Sequence, residues 1–89
     1  MTSTAALPAR LSLSDQVSLR DESFGALAYH HGNRRLVFLK TPLLVDVVRQ
    51  LDEYPNVDDA LAALVAPAQH ASYRAALASL LNSEILCGH

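Results

Sequence analysis

The chain has one lysine, one cysteine, three glycines and no tryptophan in 89 residues. Each scarcity removes a class of function. A single cysteine, Cys87, forms no internal disulfide, which fits a reducing compartment. Gly25, Gly32 and Gly88 are isolated from one another, so no glycine-rich loop can cradle a phosphate. Lys40 is the one lysine, and with a formal net charge of −2 the chain lacks the basic excess of a nucleic-acid binder. His30 and His31 are adjacent, His70 is distant, and Cys87-Gly88-His89 closes the chain without the spacing of a tetrahedral metal site. No serine or cysteine sits on a recognisable nucleophile turn. No apolar run approaches the ~20 residues of a membrane span. The N-terminus also lacks a secretory signal, so a cytoplasmic location is expected. These absences argue against an enzyme, a metal centre or any bound cofactor.

What is present suits one folded domain. Hydrophobic residues make up 51% and charged residues 18%, the balance of a globular chain with a modest core. Residues 1–12 read as a flexible N-terminal segment, small and polar as far as Ala9, and residues 13–89 as a single domain. Val17–Arg20 alternates apolar and polar, which predicts a half-buried strand, and Asp21 to Ser23 reads as a turn. Two further strands are expected near Phe24–His30 and Arg34–Lys40. Gly32–Asn33 lies between them as a tight-turn signal, because such turns need residues that tolerate positive φ.

Helices follow. Thr41 is an N-cap with Pro42 at the first helical position, and Leu43, Leu44, Val47, Val48 and Leu51 recur at helical spacing. Asn56 caps a short second helix over about Val57–Val65, with Asp58 and Asp59 in its first turn. A third helix runs from beyond Pro67 to about Asn82 with Tyr73, Leu77, Leu80 and Leu81 as its stripe, and Ile85–Leu86 docks as an end piece. Strands followed by helices predict an α+β domain, a three-stranded antiparallel sheet with three helices on one face.

One segment departs from the ordinary pattern. Leu36, Val37, Phe38 and Leu39 are apolar on both faces of a strand, whereas a small antiparallel sheet normally keeps one face wet. As the third strand of a meander it also carries an unpaired backbone edge. Such a strand needs a cover: the N-terminal segment, a second copy of the chain, or a ligand. The other marked residues have ordinary readings. Arg34–Arg35 is a solvated turn, or else a small basic patch for an acidic peptide. The histidines are surface or hairpin-end residues, and Tyr73 is a core residue before it is a contact residue.

The string VSLRDESFGALAYHHGNRRLVFLKTPLLVDVVRQL, with NVDDAL and YRAALASLLNSEIL after it, closely resembles the mycofactocin-biosynthesis peptide chaperones. These belong to the PqqD-like recognition elements of ribosomally made, modified peptides. The likeness covers about Leu13 to Leu86, and FGALAYHHGNRRLVFLK is its most specific part. The resemblance implies a winged helix-turn-helix-like fold without catalysis. It implies capture of a precursor's leader segment as an added strand on the third strand's edge, with peptide side chains settling between that strand and the third helix. It further implies presentation of the precursor to a radical S-adenosylmethionine maturase, which acts on a C-terminal Val–Tyr and itself holds the iron–sulfur cofactors. The peptide-binding residues expected on this basis are Arg35, Leu36, Val37, Phe38 and Leu39 on the strand, and Tyr73, Leu77 and Leu80 on the helix.

Two rivals share the architecture. A winged-helix DNA-binding domain would need several bases on its recognition helix, and the third helix carries only Arg74. A dimerisation module would use the same edge to pair two copies. Whether Leu36 and Phe38 or Val37 and Leu39 face the helices is open at this level, since a one-residue shift of register exchanges them.

Overall fold

The computed structural model describes Pro8 and residues 10–88. Five strands and three α-helices follow in the order β1 (Leu11–Leu13), β2 (Val17–Glu22), β3 (Gly25–His30), β4 (Leu36–Leu39), α1 (Pro42–Gln50), α2 (Val57–Leu64), α3 (His70–Asn82) and β5 (Leu86–Gly88). One-turn 3-10 helices, Leu51–Glu53 and Pro67–Gln69, extend α1 and lead into α3. The expected α+β arrangement is present: β2, β3 and β4 form an antiparallel meander in that order, and the helices come after it.

The caps are those expected from sequence. Thr41 Oγ1 accepts the Leu44 N–H at 3.1 Å, and Asn56 Oδ1 accepts the Asp59 N–H at 2.8 Å, each filling an orphan donor of a helix start. At the end of α3 the Ile85 N–H donates to the Leu80 carbonyl and the Glu84 N–H to the Leu81 carbonyl. That pair of bonds, with Glu84 at φ 66°, makes a Schellman ending in which buried Ile85 packs back toward buried Leu80.

Three features depart from the sequence expectation. A second, two-stranded sheet joins β1 to β5 with Leu11 opposite Gly88 and Leu13 opposite Leu86. Leu11 is buried in the core, so the ordered fold begins inside the segment 1–12 expected to be flexible. Residues 1–7 and 9 lie outside the described residues. The 3–4 hairpin is the second departure. Its left-handed residue is Arg34, φ 64°, and neither Gly32 nor Asn33 takes positive φ. Five residues, 31–35, join the two strands, and His30 Nδ1 accepts the N–H groups of Gly32 (3.0 Å) and Asn33 (3.1 Å), folding them over the strand end. The Arg34 N–H then returns to the His30 carbonyl at 2.8 Å, and Asn33 Oδ1 accepts the Arg35 N–H at 2.9 Å. Third, His30 sits at the hairpin end, one of its two expected places, but is buried there: its ring is the organising acceptor of the loop.

The core lies between the meander and the helices. Ala26, Ala28 and Leu39 from the sheet meet Val47 and Val48 of α1, Leu61 of α2 and Leu77 of α3, all buried. The small side chains of Ala26 and Ala28 let α1 approach the sheet closely, and this determines which face of β4 points inward.

Candidate peptide-binding groove

β4 is an edge strand. Its inner neighbour is β3, with Ala26 opposite Leu39 and Ala28 opposite Val37, and among the described residues no strand pairs with its other side. The register settles the question of face. Leu39 is fully buried and Val37 half-buried beside the core alanines, whereas Leu36 and Phe38 are 55% and 54% exposed on the opposite face. On that outer face Phe38 meets the Phe24 ring at 5.8 Å between centroids.

The same register assigns the backbone. The His30 N–H donates to the Arg35 carbonyl at 2.9 Å, so His30 and Arg35 are a hydrogen-bonded pair. Antiparallel pairs alternate, which makes Ala28–Val37 and Ala26–Leu39 the next bonded pairs. The N–H and C=O groups of Leu36 and Phe38 therefore point away from β3, toward the free edge.

Beside this edge runs a groove of roughly 330 Å³, lined by Val37, Phe38, Leu39 and Lys40 of the strand and its exit, Leu44 of α1, and Ala76, Ser79 and Leu80 of α3. Its wall is mainly apolar. Of the residues expected there, Val37, Phe38, Leu39 and Leu80 line it. Arg35 and Leu36 are exposed beyond its end. Leu77 is fully buried in the core and Tyr73 is half-buried with its hydroxyl 3.4 Å from Thr41 Oγ1; neither lines the groove. The reason is helical phase. Leu77 lies at the centre of the stripe that α3 presents to the core. The groove runs along the flank of that stripe, where steps of three and four residues bring Ala76, Ser79 and Leu80 together. Lys40, Leu44, Ala76 and Ser79 were not expected from the sequence: Leu44 reads as part of the core stripe of the first helix, and Lys40, Ala76 and Ser79 carry no signal of their own. Ala76 and Ser79 leave room there that larger side chains would fill.

The other candidate chemistry resolves into local contacts. Arg74, the base on α3, is paired with Asp58 of α2. His70 Nε2 lies 2.8 Å from the Val65 carbonyl, and His31 Nε2 2.7 Å from Ser18 Oγ. Cys87 is an exposed thiol on β5, and His89 lies outside the described residues. Among the described residues no cluster of three histidine, cysteine or acidic side chains could hold a metal ion. No helix of the described chain is long and apolar enough to cross a membrane.

Comparison with known proteins joins this geometry to a family. The pattern of the peptide chaperone MftB family matches residues 10–87, from the start of β1 into β5. The chain belongs to that family. A peptide chaperone MftB of Mycolicibacterium smegmatis (strain ATCC 700084 / mc(2)155) is 48% identical over 75 residues, covering 83% of this chain and 74% of the relative. One from Mycobacterium ulcerans (strain Agy99) is 47% identical over 75 residues, covering 83% and 69%. A third, from Mycobacterium tuberculosis (strain ATCC 25618 / H37Rv), is 48% identical over 48 residues, covering 54% and 44%. No solved structure matches the chain. Membership in the MftB family bears out the likeness to the mycofactocin peptide chaperones carried by the residues from about Leu13 to Leu86.

Proposed function

We propose that this member of the MftB family is a non-catalytic peptide chaperone that takes the leader segment of the mycofactocin precursor as an added strand on β4. One observation carries the reading: the unpaired backbone of Leu36 and Phe38 borders an apolar groove walled by α3. Strand addition draws its affinity from main-chain hydrogen bonds and its selectivity from pockets under alternate side chains. The edge supplies the first, and the cleft between Val37, Leu44, Ala76 and Leu80 supplies the second. The chaperone then holds the precursor for a radical S-adenosylmethionine maturase, the partner that the family resemblance implies. Cofactor chemistry belongs to that maturase, and both proteins work in the cytoplasm.

Calorimetric titration of the chain with its precursor peptide, without metal or nucleotide, tests the reading. Saturable binding at micromolar affinity or tighter, ~8 kcal/mol or more, is expected. Absence of heat and of NMR shift changes at high micromolar concentration would refute it.

A further inference from the structure

The basic residues are distributed unevenly. Arg20, Arg49 and Arg74 are engaged by Glu22, Asp21 and Asp58. Of the other four, Arg10 precedes β1, and Arg34, Arg35 and Lys40 bracket β4. None of these three has an acidic partner within salt-bridge distance among the described residues, and all three are exposed. Glu84 reaches the hairpin loop through Asn33 Nδ2 at 3.4 Å and leaves both arginines unpaired.

Their placement relative to the groove matters more than their number. Arg35 shares the side of Val37 by strand alternation, at one end of the free edge. Lys40 lines the groove at the other end, next to the start of α1, whose first turn holds no acid to offset the helix dipole. The four residues of β4 lie between Arg35 and Lys40, and five steps of extended chain carry one to the other, about 17 Å. A chain with net charge −2 thus keeps cations without an acidic partner, among the described residues, at both ends of the free edge of β4.

We infer that the edge selects an acidic extended peptide: apolar side chains at alternate positions enter the groove, and carboxylates on both sides of that apolar stretch meet Arg34 and Arg35 at one end and Lys40 at the other. This rests on the strand-addition reading and adds the charge of the ligand. Carboxylates at both ends satisfy the cations in either strand direction. Exposed ion pairs contribute modestly each, so charge tunes selection among peptides that the backbone bonds already hold.

Fluorescence anisotropy with three synthetic peptides separates the two claims. Each carries the same short Val/Leu core, flanked on both sides by glutamates, glutamines or lysines. At low salt the glutamate peptide should bind about fivefold or more tighter than the glutamine peptide, with the lysine peptide weakest, as two or three screened ion pairs predict. The gap should close in high salt and in the R34Q/R35Q/K40Q variant, whose surface changes should leave the circular dichroism spectrum of the parent unchanged. Equal binding of the glutamate and glutamine peptides, both lost in Phe38→Pro, would overturn the charge selection and leave strand addition standing. A glutamate preference that persists in the triple variant would also overturn it. Failure of all three peptides to bind would remove both claims.

Discussion

Gly25 lies so close to the carbonyl oxygen of Leu39 that a Cβ on Gly25 would collide with that oxygen. Its φ of +156° is also one that side chains of L residues rarely adopt. The start of β3 and the end of β4 are therefore pressed together at the point where the chain turns into α1. Gly25→Ala should cost about 2 kcal/mol or more, because backbone has to move. For a domain of this size that lowers the melting temperature by roughly 8 °C or more. An unchanged melting curve would show that the close approach is relieved at no cost.

Proline should divide the edge strand into its two roles. Phe38→Pro removes an N–H that points to the free edge, so the sheet keeps its internal bonds and precursor binding falls. Val37→Pro removes a donor to Ala28 and should unfold the hairpin. Circular dichroism and calorimetry together check this. A folded Phe38→Pro that binds the precursor as tightly as the parent would move the peptide elsewhere and leave the edge to a second copy of the chain.

The two faces of α3 give a second contrast. Leu77→Ala opens a cavity in the core and should cost about 2–5 kcal/mol. Ala76→Leu, one residue away, projects into the groove and should weaken precursor binding at least tenfold with little change in melting temperature. Denaturant titration and peptide titration of both variants test the assignment. Equal loss of stability in the two would show that the groove collapses when its wall is changed.

His30 holds two loop amides with one nitrogen. His30→Leu leaves the Gly32 and Asn33 N–H groups without that acceptor and should cost about 1–3 kcal/mol. Asparagine carries an oxygen close to where the ring presents Nδ1, so His30→Asn should recover most of that loss. Thermal melts of the pair are decisive: if both variants fall equally, ring packing and not the acceptor holds the loop.

Glu84 takes the left-handed position that ends α3, at φ 66°. Glycine meets no Cβ penalty there, so Glu84→Gly should raise stability by about 0.5–1 kcal/mol despite its greater freedom when unfolded. A lowered melting temperature would mean that the contact from Asn33 to Glu84 outweighs the strain.

The local elements of this protein were legible in its sequence because their causes are local. Thr41 and Asn56 cap helices through bonds to residues three positions on, and the stripe of α3 follows from helical spacing alone. The two-faced apolar run from Leu36 to Leu39 marked the edge strand and its need for a cover. What that run could not carry was a phase. With apolar side chains on both faces, either pair could have turned inward, and only pairing with Ala26 and Ala28 beneath α1 placed Val37 and Leu39 there. The pairing of β1 with β5 was equally out of reach, since three-residue strands at opposite ends of the chain carry almost no periodic signal. The groove belongs to the same class. Ala76 and Ser79 are unremarkable in a helix, and they became its wall only when α3 settled on the core with Leu77 inward and their flank beside β4. Hydrogen bonds and spacing along the chain specified the pieces; packing between pieces decided which surface stayed open.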